Sequence, residues 1–171
     1  DSLDNKNHLT PANLNSMFHR SIEKDFVTNQ LNDIFGQIAS IHQPRPTIGA
    51  FGDEGAANHL RVSSSHSKEG FQVFVHGGSA FEYEKLVKRQ ALEISSSISK
   101  SHKLDETKVF FLQQNQEAIR EGSFHNDIVS LANENVFIAH EKAFENKADL
   151  NQLIGIPVSY THLTLPTIVG V

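Results

Sequence analysis

The chain contains no cysteine among its 171 residues, and this absence excludes disulfides, thiolate metal sites and a cysteine nucleophile within the sequence. It also lacks long apolar runs, because stretches such as residues 109–112 are far too short to cross a bilayer. Its polar first residues contain no apolar core of a signal peptide. We therefore expect a soluble, cytoplasmic protein without a membrane partner.

Basic residues are also in short supply. Fifteen Lys and Arg residues stand against twenty Asp and Glu residues, which gives a formal net charge of −5 at pH 7, and no basic block is longer than Lys88-Arg89. Because nucleic-acid-binding surfaces are strongly basic, the composition argues against nucleic acid as the main partner. The length predicts one domain.

Apolar spacing predicts helices and strands in alternation. Steps of three and four residues predict a helix from Ile22 to Ile38 with Ser21 as its N-cap, and the prolines at 44 and 46 make the segment up to about residue 47 a connection. Further helices are predicted at residues 83–102 and 116–120, strands at 71–75 and 109–112, and a hairpin from 128–131 and 136–139 around the turn 133–135. This order favours an α/β or α+β module, and no internal repeat of fixed period is evident.

Two polar segments contain candidate functional residues. Residues 51–59 combine small side chains with carboxylates, an amide and an imidazole in a predicted tight loop, and residues 122–127 form a second polar turn. A divalent metal could be bound by oxygen and nitrogen ligands from both segments, namely Asp53, Glu54, His59, His125 and Asp127. The same carboxylates could instead hold a planar guanidinium, with histidine as acid or base, or they could cap turns. No spacing matches the zinc-hydrolase pattern of two histidines one helical turn apart.

Eight of the ten histidines fall into two groups. Imidazoles in polar or terminal surroundings are predicted to be solvated surface groups, and these are His8, His42, His66, His102 and His162. His59, His125 and His140 lie beside carboxylates in the sequence, which predicts raised pKa values and a fixed tautomer.

Several long motifs together resemble the N-succinylarginine dihydrolase family. They are His8-Leu-Thr-Pro-Ala-Asn-Leu-Asn-Ser-Met-Phe-His-Arg-Ser-Ile-Glu23, Phe51-Gly-Asp-Glu-Gly-Ala-Ala-Asn-His59, Gln113-Gln-Asn115 and Gly122-Ser-Phe-His-Asn-Asp127. Their order along the chain agrees with that family, and the resemblance covers about residues 8–144. It implies the pentein, or amidinotransferase-like, α/β propeller, in which ββαβ-like modules surround a central active site.

The resemblance also implies an activity and a set of site residues. The activity is the hydrolysis of N2-succinylarginine to N2-succinylornithine, carbon dioxide and two ammonia molecules in the arginine succinyltransferase pathway, without a cofactor. By resemblance, Glu54 and His125 are two members of the catalytic triad, and the residues that contact the substrate are His19, Arg20, Arg89 and Asp127. The match around Arg89 is looser than the others. The family resemblance further suggests a homodimer for the full-length enzyme.

The family's nucleophile is a cysteine, which this chain lacks. We therefore expect an internal fragment of the enzyme that is inactive alone, with a partial pentein domain at residues 1–157. Two alternatives stay open at this point: a cysteine-free protein that only binds arginine-like ligands, and a metal-dependent hydrolase that uses the same histidine and aspartate residues.

The last residues differ sharply in composition from the rest. Residues 158–171 contain no acidic or basic residue except His162, whereas the segment before them is charged. As protein they would form a Thr-rich edge strand broken by Pro166. They also resemble the translation of a sequencing adaptor, and we expect a non-native tail over this range.

Overall fold

A computed structural model describes residues 1–14, 18–46, 58–80, 90–123, 125–155 and 161–165 of the chain. The strands are β1 (Asn7–Leu9), β2 (Ala39–Ile41), β3 (His59–Ser63), β4 (Gly70–His76), β5 (Val109–Gln113), β6 (Ser130–Asn133), β7 (Val136–His140) and β8 (Thr161–Leu165). The helices are α1 (Phe18–Ser21), α2 (Lys24–Phe35), α3 (Leu92–Ser101), α4 (Gln116–Arg120) and α5 (Lys147–Ile154), with 3₁₀ turns at Glu106–Lys108 and Asn126–Ile128. The predicted α/β class is confirmed.

The eight described strands form three short sheets, none of them closed. β1 and β2 pair in parallel. In the second sheet, β3 runs antiparallel to β4, the chain passes through α3, and β5 returns parallel to β4. The third sheet repeats this order, since β6 is antiparallel to β7 and β8 is parallel to β7 after α5. The two larger sheets are thus two units of ββαβ topology, a repeat of strand order that no fixed sequence period reveals.

The neighbouring strands β4 and β5 are packed on both faces. On one face, Val73, Val75 and Leu112 join a buried cluster that extends to Phe137 and Leu153 of the second unit. On the other face, Phe74 packs against the α3 residues Ile94 and Ile98, and Phe111 of β5 lies beside this second cluster. Burial of both faces explains the uninterrupted apolar runs of these two strands.

The predicted helix at residues 22–38 is partly wrong. The helix is confirmed over α2, but Ser21 is not its N-cap: it ends α1, and its hydroxyl donates to the Phe18 carbonyl at 2.8 Å. The apolar stripe does not enter the core, since Ile22 is 66% exposed and Phe26 is 68% exposed. Periodicity identified the helix but could not tell which surface covers its apolar side.

Other boundaries also differ from the predictions. The predicted connection before residue 47 contains β2, and the end of the predicted loop at residues 51–59 is the first residue of β3. Of the helix predicted at residues 83–102, the part from Leu92 to Ser101 is confirmed as α3, and Ala91 before it has extended dihedrals. Residues 81–89 lie outside the described range. Short strands such as β1 and β2 depend on partners more than 30 positions away, so local pattern gives little signal for them.

The strands at β4 and β5 and the helix α4 are confirmed. The hairpin of β6 and β7 is also confirmed, but its first strand begins two residues later than predicted because Asn126–Ile128 form a 3₁₀ turn. Glu134 at the hairpin turn has a positive φ of 49°. The described part of residues 158–171 is strand β8, which pairs with β7. None of the helices in the described ranges is long and apolar enough to cross a membrane.

Candidate functional site

The turn that precedes His125 is built by the end of α4. Gly122 has a φ of +99°, a conformation that favours glycine. Its N–H donates to the Ile119 carbonyl at 3.0 Å, and the N–H of Ser123 donates to the Ala118 carbonyl at 2.8 Å. These two bonds form a Schellman motif, which satisfies the last carbonyls of the helix and turns the chain toward His125.

A buried glutamine supports this turn from the neighbouring strand. Gln114 follows β5 directly, is 3% exposed, and donates from its side-chain amide to the Ser123 carbonyl. Its main-chain N–H donates to the His76 carbonyl at 2.8 Å, which fixes Gln114 against the end of β4. The motif at residues 113–115 is therefore in direct contact with the motif at residues 122–127.

Asn126 fixes the other side of His125. Its side chain is fully buried and accepts a hydrogen bond from the Ser130 hydroxyl. The N–H of Val129 donates to the Asn126 carbonyl at 2.9 Å and closes the 3₁₀ turn. Asp127, the next residue, is exposed. The turn thus presents His125 and Asp127 on either side of a buried amide.

A second contact lies between the residue that follows segment 47–57 and the residue that follows segment 81–89, two segments outside the described residues. Asn58 lies four positions after Glu54, and Gln90 directly follows Arg89. Both are buried, and the Asn58 amide nitrogen lies 3.5 Å from the Gln90 side-chain oxygen, a long hydrogen bond. The Gln90 amide in turn donates to the Ser95 hydroxyl of α3 at 2.8 Å.

A cleft of ≈ 310 Å³ lies beside this contact. The segment after β1, the strands β3 and β4, and α3 supply its walls, with Thr10, His59, Phe74, Gln90 and His102 among the lining residues. Its volume is at the lower limit for pockets that hold small ligands.

The contacts of His59 in this cleft determine which ring nitrogen carries the proton. Its ring stacks on Phe74 with 4.2 Å between centroids, and its Nε2 lies 2.7 Å from the Gln72 side-chain oxygen. Because the Gln72 amide nitrogen donates to Asp1, that oxygen must accept, so Nε2 of His59 carries the proton. Burial lowers the pKa of His59. The prediction of a carboxylate-raised pKa is therefore wrong for this residue, because its described partner is a neutral amide.

Three histidines predicted to be solvated form a cluster instead. The rings of His8, His42 and His102 stack pairwise with centroids 5.1, 5.6 and 5.2 Å apart. His8 Nε2 lies 2.9 Å from the Asp4 carboxylate, and His102 Nε2 lies 2.7 Å from the Thr10 hydroxyl. The surface prediction fails for these three because their partners are up to 94 positions distant in the sequence. It is confirmed for His66, whose side chain is 74% exposed.

The predicted site residues are described to different extents. His19 lies exposed on α1, and the main chain of Arg20 belongs to the same helix. His125 and Asp127 share the turn described above. Glu54 and Arg89 lie outside the described residues, as does Asp53. The structure therefore places His125 and Asp127 on one turn, and the contact between Asn58 and Gln90 joins chain positions near Glu54 and Arg89.

Within the described ranges, no group of three or more histidine, aspartate or glutamate side chains has a geometry that could hold a metal ion. The histidine cluster illustrates the reason, since its rings stack on each other instead of directing their nitrogens at one point.

Sequence reasoning missed Gln114, Gln90 and the histidine cluster as parts of this region. Gln114 stood in a motif that pointed to the family, but the motif alone did not indicate which backbone the side chain contacts.

Comparison with known proteins agrees with the motifs. The family model described as Succinylarginine dihydrolase matches residues 1–167. Similar relatives, each named N-succinylarginine dihydrolase, occur in Pseudoalteromonas translucida (43% identical over 154 residues), Sphingopyxis alaskensis (45% over 148) and Acinetobacter baylyi (40% over 160). The matches cover 86%, 86% and 90% of this chain but only 34%, 34% and 36% of the relatives.

The chain thus spans about a third of the length of these relatives. Its match to the family extends over nearly the whole sequence, including both polar segments that contain the candidate site residues. The chain belongs to the succinylarginine dihydrolase family.

Proposed function

We propose that the protein to which this chain belongs hydrolyses N2-succinylarginine, with two waters, to N2-succinylornithine, carbon dioxide and two ammonia molecules. The observation that carries this proposal is the family match over residues 1–167. The fixed turn around His125 supports it, because acid–base catalysis requires a side chain held in one direction.

In this proposal, Glu54 and His125 act on the guanidinium group. The guanidinium carbon is a poor electrophile because its positive charge is delocalised over three nitrogens. A carboxylate such as Glu54 can hold the nitrogens through charge-assisted hydrogen bonds, and His125 can donate the proton that departing ammonia needs. Asp127, exposed beside His125, would bind the same group.

The succinyl end of the substrate carries carboxylates, for which arginine is the matching partner. We assign this binding to Arg20 and Arg89, with His19 as a further contact, because a guanidinium fork binds a carboxylate in a bidentate manner. Gln90 follows Arg89 and is held by Ser95, which supports a fixed position for the chain at this point.

The cysteine nucleophile that the family uses would come from outside this chain, because the sequence has none. The chain alone would then supply acid–base and binding groups but release no ammonia. We extend the proposal to the pentein propeller, to a homodimer and to a cytoplasmic location for the full-length protein. The ββαβ unit formed by β3, β4, α3 and β5 supports the first of these.

A chimera tests the function. Residues 1–157 replace the matching third of the Sphingopyxis alaskensis relative, and ammonia release from N2-succinylarginine is measured. We expect turnover within about tenfold of the intact relative. A folded chimera without turnover, in which the parent relative is active under the same conditions, would contradict the proposal.

The same proteins test the alternative of a protein that binds arginine-like ligands without hydrolysing them. In calorimetry, the 171-residue chain and the chimera are titrated with N2-succinylarginine. Binding by the folded chimera without any ammonia release would favour the binding protein over the hydrolase.

We also propose that residues 158–171 are not part of the natural protein. Sequencing the gene through the codons of Pro157 tests this: a different continuation supports the proposal, and the same codons at the locus overturn it.

A further inference from the structure

The motif at residues 113–115 has no role in the proposed function so far. We propose that Gln114 is a positioning residue that fixes the direction of the His125 imidazole, an inference that rests on the role proposed for His125. Gln114 does not contact the substrate in this account, and it acts only through the main chain of the His125 turn.

Gln114 is itself held rigidly. Its side chain is 3% exposed, and its main-chain N–H is bonded to His76 at the end of the buried strand β4. The side chain of Gln116 donates to the Gly77 carbonyl at 3.1 Å and to the Gln114 carbonyl at 3.2 Å, which joins the same strand ends again. Because Gln114 is anchored in this way, its side-chain amide holds the hydrogen-bond acceptor in a fixed position.

The acceptor is the Ser123 carbonyl, two positions before His125. The buried Asn126 directly follows His125, and the Ser130 hydroxyl holds it from the other side. Hydrogen bonds therefore anchor the main chain on both sides of His125, which limits where its imidazole can lie.

A neutral side-chain amide of this length is well suited to donate a hydrogen bond to the Ser123 carbonyl. The Ser123 carbonyl needs a donor, and a side chain without one would leave the carbonyl short of a partner beside the protein interior. The turn would then move toward water to regain a hydrogen bond. Since a misplacement of about 1 Å can cost a catalytic group about a hundredfold in rate, this shift would weaken catalysis more than substrate binding.

The first test uses NMR on the 171-residue chain. Gln114→Glu keeps the length and shape of the side chain and replaces the amide donor with a carboxyl group, which donates only when it is protonated. Gln114→Met removes the donor without adding charge. The matched control is Gln113→Met, because successive side chains of a strand point to opposite faces. We expect amide exchange at Ser123 to rise at least about tenfold and the His125 ring nitrogens to shift in both Gln114 variants.

The fold is monitored by the methyl signals of Val73 and Leu112. If these signals are unchanged and neither Gln114 variant alters His125 more than Gln113→Met does, the inference is overturned. This test needs no activity, so it decides the inference even if the proposed function fails.

The second test measures kinetics in the chimera described above. For Gln114→Glu and Gln114→Met we expect kcat to fall roughly 10- to 100-fold, with KM within about twofold, while Gln113→Met retains both values. A rise in KM of the same size, with kcat unchanged, would contradict a role through His125.

Discussion

Nδ1 of His8 lies 2.8 Å from Nε2 of His42, so one imidazole donates a hydrogen bond to the other. The accepting nitrogen must be unprotonated, and the two rings therefore cannot both be fully charged while this contact exists. His8 contacts the Asp4 carboxylate on its other side, and Lys103 binds the same carboxylate at 2.9 Å. The pair joins the first strand pair to the end of α3, where His102 completes the stack.

We predict that the chain loses stability between pH 6.5 and about pH 3. Burial first, and then the neighbouring imidazoles and Arg45, lower the pKa of His102 to about 3, and burial also lowers the pKa of His42. The folded chain thus binds fewer protons than the unfolded chain in this window. The free energy of unfolding is highest above pH 6.5 and falls as the pH is lowered. The lowered pKa of His102 alone accounts for a loss of about 2 to 3 kcal/mol at pH 4.5.

Urea unfolding at several pH values measures this effect. The variant His102→Gln should flatten the dependence of unfolding free energy on pH, whatever its own stability, whereas His66→Gln on the exposed surface should keep the original slope. Equal slopes for all three proteins would show that His102 does not titrate as described.

His59 should stay neutral at pH values where a free histidine is half protonated. Its Nε2 proton is bonded to Gln72, and burial lowers its pKa below the usual 6.5. Nitrogen-detected NMR of the ring should show the Nε2–H tautomer at pH 6 without a titration step at 6.5. A midpoint at 6.5 or above would refute this environment.

The core that spans the two ββαβ units should respond to a single large-to-small change. Leu112 is 1% exposed, and Leu112→Ala should lower the free energy of unfolding by about 3 kcal/mol through lost burial and a residual cavity. The same substitution at Leu3, which is 73% exposed, should change it by less than about 0.5 kcal/mol. Equal effects at the two positions in chemical denaturation would contradict the described core.

The confirmed sequence predictions are those that local pattern determines. The apolar run of β5, the short helix α4 and the turn around Glu134 each depend on neighbours within a few positions. These signals were sufficient to predict the class of the fold and the two elements that flank the His125 turn.

The predictions that failed depend on distant contacts. Nothing near His8 indicates that His42 and His102 stack on it, and the apolar spacing from Ile22 to Ile38 could not reveal that Ile22 and Phe26 are exposed. In the same way, residues 113–115 carried the family resemblance, but only the fold shows that Gln114 reaches Ser123. The roles of all the candidate site residues stay predictions, and Glu54 and Arg89 also lie outside the described ranges.

Turnover by the chimera with and without His125 tests the central claim most directly. If this segment supplies the acid–base group of an N-succinylarginine dihydrolase, His125→Ala should lower kcat for ammonia release by a factor on the order of 10² to 10⁴, and His66→Ala should leave it unchanged. A folded His125→Ala chimera that turns over at the rate of the unmodified chimera would contradict the account.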